Sequence, residues 1–228
     1  MSFLRKEDYS SLIELDRLDV VTGVDNNLIT QCELSTQAEI ESYISNYYDV
    51  SKIFIDILSF RISTAYLIGD LILWSESAYL PATTYSVGDR CSYLGNIYKC
   101  NTAATTGVWN ASKWTLLTTN ESWWNVTANV TGHLPYDSTD TVSSESFAAG
   151  DTRNAKIKQL YIDMVLYDLH SRISPRNIPE LRVKRYDDAV SWLKMIQKGK
   201  IQANLPIIDA ITGTNISYGS NLKTNNIY

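Results

Sequence analysis

With two histidines and three cysteines in 228 residues, the chain has little of the side-chain chemistry that most enzymes use. His133 and His170 have no partner motif, which argues against a metal centre or a catalytic triad. Cys32, Cys91 and Cys100 form no CxxC pair, and no Walker loop, GxGxxG or GxSxG is present. No catalytic residue, metal ligand or cofactor is therefore expected. No run of about 18 apolar residues is free of charge, and the opening MSFLRKEDYSS has no apolar segment after its basic residues. These two absences predict a chain with no signal peptide and no membrane-spanning segment. A net charge of −5 opposes a protein that grips nucleic-acid phosphate, but is compatible with a wall past which DNA slides unread.

Aromatics, by contrast, are plentiful: fifteen Tyr and six Trp. Charge is also unevenly spread. Residues 1–60 hold four basic and eleven acidic side chains, net −7, and residues 151–200 hold eleven basic and six acidic, net +5. Two halves of opposite sign can neutralise each other inside one molecule, or can join successive copies head to tail. For the second case the candidate acidic side is Glu33, Glu39 and Glu41. The candidate basic side is Arg182, Lys184, Arg185, Lys194 and Lys198.

Apolar spacings of three and four predict helices at each end. A short one starts near Lys6 and ends near Asp16 to Asp19, and a longer one is capped by Asn26 or Asn27 and carries Cys32, Ile40 and Ile44 on one face. Two more follow Asp151 and Pro179, the last capped by Gly199. From Lys52 to Trp74 the β-branched run predicts strand. The Asn-rich stretch from Gln202 onward predicts an extended arm that orders on a partner.

Between the helical ends a pattern occurs twice, as TAYLIGDLILW and TTYSVGDRCSY, offset by 19 residues. Tyr66, Gly69 and Asp70 correspond to Tyr85, Gly88 and Asp89. Glycine there supplies a bend and aspartate bonds nearby amides, which is turn chemistry rather than catalysis. The repeat predicts two hairpins. With Gly95-Asn96 as the turn, Tyr93 faces Tyr98 and Cys91 faces Cys100, a possible cross-strand pair, and the same register in the first copy pairs Trp74 with Tyr79. Residues 101–150 read as long loops with one further strand at Lys113 to Leu117. Trp109, Trp114, Trp123 and Trp124 are the candidate aromatic docking or glycan surface.

The block IPELRVKRYDDAVSWLKMIQKGKI, with Arg185, Tyr186, Ala189, Trp192, Leu193, Ile196, Gly199 and Lys200, resembles the closing helix of bacteriophage head-to-tail connector (adaptor) proteins. The opening helices ending SYISNYYD and the segment KIKQLYIDMVLYDLHSRIS are similar to the same family, most of all to the connectors of crAss-like phages. The segment YSVGDRCSYLGNIYKCNTAATTGVWNASKW resembles small chitin-binding-type β modules. The resemblances imply an α+β chain: a small helical bundle of the connector type (1–62 and 151–201), an inserted all-β module (63–150) and a C-terminal arm (202–228). They also imply a virion protein assembled in the bacterial host cytoplasm as a ring, twelve copies in the family. Its partners would be itself, the portal protein, and tail or further ring proteins, with genomic DNA passing through the lumen. The alternative is a carbohydrate-binding virion protein that contacts glycan through the β module.

Overall fold

The computed structural model describes residues 3–22, 26–103, 105–138 and 140–208, and the chain is an α+β molecule. A 3-10 turn at Lys6–Ser11 precedes α1 (Leu15–Thr22), so the single short helix expected there is split, with Leu12 ending the first piece at non-helical dihedrals. Next come α2 (Asn26–Ile44) and α3 (Val50–Ile53). A β region interrupted by a 3-10 turn (Ala111–Lys113) and a short helix, α4 (Thr141–Ser146), leads to α5 (Ala155–Ile173) and α6 (Glu180–Gln197).

Asn154 starts α5 by accepting hydrogen bonds from the backbone N–H of Lys156 and Ile157, two of the donors that a helix start leaves without intrahelical partners. Every residue of α5 from 160 to 166 is buried, because α2 and α6 both pack on it and on each other. Phe3, Phe54 and Tyr161 interlock there with ring centroids 5.3–5.8 Å apart, so residues from before and after the β region share one core. Beyond α6 the chain turns back. Leu205 is buried, Asp49 N–H donates to the Pro206 carbonyl at 2.9 Å, and Ala203 N–H donates to the Tyr48 hydroxyl at 2.9 Å. The arm expected over 202–228 therefore begins as a packed segment, and its residues 209–228 lie outside the described residues.

The strand expected from Lys52 to Trp74 is divided into α3, β1 (Ile57–Ser59), β2 (Ala65–Tyr66) and β3 (Leu71–Trp74). Beyond it lie β4 (Arg90–Tyr93), β5 (Asn96–Cys100) and β6 (Trp114–Thr119), where a hairpin and one further strand were expected, and β7 (Ser122–Val126), β8 (Val130–Thr131) and β9 (Phe147–Ala149), where loop was expected. One sheet has the order β1-β3-β7-β9, with β1 parallel to β3, and a second has the order β4-β5-β6. The first sheet begins at Ile57, ahead of the boundary expected at 63.

The 19-residue repeat is the visible part of a larger duplication, one copy nested inside the other. Module A comprises residues 57–74 and 122–149, and module B comprises 76–119. In A, Gly69 N–H donates to the Val126 carbonyl and Val126 N–H to the Asp70 carbonyl. In B, Gly88 and Asp89 make the same two bonds with Cys100, all four at 2.8–2.9 Å. The Tyr66 hydroxyl accepts from Arg61 N–H at 2.6 Å, and the Tyr85 hydroxyl from Leu80 N–H at 2.9 Å. Phe60 stacks on Tyr66 at 5.9 Å and Tyr79 on Tyr85 at 5.2 Å. Val126 pairs with Phe147 at the edge of one sheet, as Cys100 pairs with Trp114 in the other.

In module B the hairpin closes through Leu94-Gly95, with φ of 48° and 77°. The turn is one residue earlier than expected, because two positive φ values in succession suit a two-residue turn with Gly second. Tyr93 therefore faces Asn96, and Cys91 faces Tyr98. In module A the equivalent hairpin is open. Trp74 pairs with Ser122 rather than Tyr79, and the whole of module B occupies the space between them.

Candidate functional site

The Gly-Asp pairs are turn elements. Gly69 and Gly88 both have φ of +95°, and the carboxylates of Asp70 and Asp89 accept from Leu67 N–H at 2.8 Å and Ser86 N–H at 2.7 Å. Among the described residues no three His, Cys, Asp or Glu side chains are grouped to hold a metal ion. His133 Nδ1 lies 2.6 Å from Asp140, whose carboxyl is held below the usual carboxylate range chiefly by that hydrogen bond. His170 Nδ1 lies 2.6 Å from the Leu166 carbonyl.

Four tryptophans were expected to form an accessible surface, and the structure turns most of their area inward. Trp114 is 5% exposed and Trp124 is 7% exposed, each packed in the core of its own module. Trp109 is partly exposed at its rim, but its faces are covered by Tyr93 (4.1 Å, 13°) and Trp114 (5.2 Å, 17°). Trp123 lies under the Arg153 guanidinium at 4.5 Å, with Arg5 at 5.8 Å. An alternating strand pattern shows that one face is buried without showing what buries it, so sequence could not separate core from platform.

Cys91 and Cys100 are both buried free thiols of module B and do not face each other in the sheet. Burial, and then the neighbouring Cys100, push the Cys91 thiol up to about 11. Burial likewise pushes Cys32 up to about 12. These shifts leave Cys91 and Cys32 as thiols rather than thiolates near neutral pH.

The acidic side chains of α2 are largely engaged within the chain. Glu33 is buried and accepts from the Tyr9 hydroxyl at 2.7 Å, Glu39 accepts from the Tyr186 hydroxyl at 2.9 Å, and Glu41 accepts from the Gln37 amide at 2.8 Å. Burial raises the Tyr186 hydroxyl well above the usual phenol range, and the bond to Glu39 adds to the shift. On α6, Arg185 reaches Asp163 at 3.3 Å and Arg182 donates to the Leu12 carbonyl, whereas Lys184 and Lys194, and Lys198 at the C-cap, stand exposed. The charge pairs that join the two halves inside one molecule are at Asp8, which lies 2.7 Å from Arg153 and 3.6 Å from Lys158. One Arg182 guanidinium nitrogen is buried without a partner.

The main charged network was not visible in the sequence. Arg153, with its side chain 1% exposed, bonds both oxygens of Asp8, both oxygens of Asp151 and the Phe3 carbonyl. Asp8 lies 145 residues away in the chain, and no local spacing signals that pairing.

Residues 151–212 match the family model described as Bacteriophage Mu, Gp36. The match covers a little over a quarter of the chain and indicates a bacteriophage protein. No curated protein and no solved structure matches. The Gp36-like segment holds Arg153, the Asn154 cap, α5, α6 and the returning segment at Leu205. It supplies α5 and α6 to the helical core, to which residues 3–53 also contribute, and modules A and B lie outside it. Among the described residues no helix is long and apolar enough to cross a membrane.

Proposed function

We propose that this chain is a structural component of a phage particle that assembles as a ring between the capsid portal and the tail. The helical body would form the ring wall, and the DNA would pass through its lumen. The observation that carries this reading is the coincidence of the Gp36-like segment with the helices that build the core of the body. The resemblance of the opening and closing helices to connector proteins supports it, as do the exposed cations Lys184 and Lys194 on α6 and Lys198 at its C-cap. These cations are available to an acidic neighbour, while the carboxylates of α2 are mostly engaged within their own chain.

The test is the mass of the purified protein across a salt series. A ring closed by exposed charges should dissociate as ionic strength rises, since screening acts over about 10 Å at 0.1 M salt. A ring mass that stays constant or grows with salt would rule out electrostatic closure, and a chain that remains monomeric both alone and with portal would remove the ring reading. The alternative, glycan binding through the β modules, loses its best platform because both faces of Trp109 are covered.

A further inference from the structure

The longest strand among the described residues, β6, stands at the end of its sheet. An edge strand offers a row of backbone N–H and C=O groups to any extended chain, and folded proteins blunt such edges by keeping them short, covering them, or placing Lys or Pro on them. The other edges here follow that rule. β1 and β9 have three residues each and β2 and β8 two each. β4 is covered by the segment before it, where Tyr79 N–H donates to the Ser92 carbonyl at 2.8 Å and Ser92 N–H to the Ser77 carbonyl at 2.7 Å. β6 has none of these protections. Its sequence Trp-Thr-Leu-Leu-Thr-Thr holds no charge and no Pro, and its outer side makes no hydrogen bond to another strand among the described residues. A bulge can also turn an edge away, but the one here packs Leu117 against the core of module A and leaves Thr115, Leu116 and Thr119 exposed, Leu116 by 57%.

The chain itself supplies a matching strand pattern. Residues 206–208 already run antiparallel to 47–49, with Tyr48 opposite Ile207 and Ile208 N–H donating to the Tyr47 carbonyl at 3.2 Å. Further on, outside the described residues, Thr212, Thr214, Ile216 and Tyr218 alternate in sequence with Gly213, Asn215 and Ser217. That period of two is the signal of a strand with one apolar face. No charged residue and no Pro lies between 210 and 222, so the segment carries nothing that opposes pairing with an uncharged edge.

We infer that residues 212–218 of one copy add as a strand to the open edge of β6 in a second copy. Main-chain hydrogen bonds supply the affinity, and the exposed Leu116 meets the alternating side chains of the incoming strand. The two partners are different segments, so the contact is heterologous and propagates from copy to copy, as a ring requires. This inference rests on the ring reading and adds to it a contact made by backbone pairing.

The experiment follows the full-length protein by sedimentation, with amide hydrogen exchange at residues 114–119 as a second readout. Leu116→Lys puts on the exposed edge a charge that opposes strand addition, and Ile216→Pro removes a backbone donor from the incoming strand. Each should weaken association about tenfold or more with the melting temperature unchanged. Should Leu116→Lys lower the melting temperature, Thr115→Lys on the same exposed edge replaces it. In the wild type the β6 amides should exchange more slowly in the assembled form than in the monomer. Association unchanged in both variants would overturn the contact and leave the ring reading standing. Loss in only one of them would overturn the pairing of β6 with 212–218, as would β6 amides equally protected in the monomer. A wild-type chain that never exceeds monomer mass would remove the ring reading and this contact together.

Discussion

At the scale of single residues, the charged groups most deeply engaged are Arg153 and its two carboxylate partners, Asp8 and Asp151. Replacing Arg153 with Met leaves Asp8 and Asp151 beside each other and largely buried, with Lys158 as the remaining cation. Removing one partner of such a buried set costs about 3–5 kcal/mol, to be read from chemical unfolding. Burial pushes the Asp151 carboxyl up, but the hydrogen bonds from Arg153 outweigh it and hold the group below the usual carboxylate range. Its folded-state value therefore lies below its unfolded value. The stability it contributes is complete above the ordinary carboxylate range and is lost as pH falls through the folded value. Arg153→Met should consequently show a shallower acid limb of melting temperature against pH. Gly88→Ala isolates a different effect. A Cβ at Gly88 meets nothing within 4 Å, so the expected loss of about 1–2 kcal/mol comes from φ +95° alone. An unchanged melting temperature would show that the turn relaxes.

At the scale of elements, the nested duplication makes a specific expectation. Module B fills the position that Leu94-Gly95 occupies in its own hairpin. Replacing residues 75–121 with Leu-Gly should therefore join β3 to β7 and leave module A and the helical body folded. It should also lower stability by about 2–4 kcal/mol, because Ile97 and Leu117 of module B are packed against the core of module A. Loss of cooperative unfolding in that variant would show that A cannot fold without B. The first half of each module was legible in the sequence because turn chemistry constrains Tyr, Gly and Asp at fixed offsets. The second halves were not. Val126 and Cys100, or Phe147 and Trp114, occupy equivalent positions but need only be buried, and the connections between them differ in length. The helices were legible from their apolar period, and the split between the first turn and α1 was not.

At the scale of the whole molecule, the same sheet position is used twice for docking. Trp123 in module A lies under Arg153 of the helical body, and its counterpart Ile97 in module B lies in the core of module A. The body, A and B are thus connected in series. The exposed charge left over after folding is what remains for assembly. Reversing Lys194 and Lys198 to Glu should leave the unfolding free energy within about 0.5 kcal/mol of the wild type, as expected for exposed side chains. It should weaken self-association measured by light scattering, and unaltered association would remove α6 from the contact. By itself the sequence determined the helical ends, the Tyr and Gly-Asp turns and the charge split, because each depends on short-range periodicity or composition. Only the tertiary structure decided that one module lies inside the other, that the tryptophans face inward and that most α2 carboxylates have partners within the chain. Those outcomes depend on contacts between residues far apart in sequence, such as Arg153 with Asp8 and Trp74 with Ser122, and no local pattern specifies them.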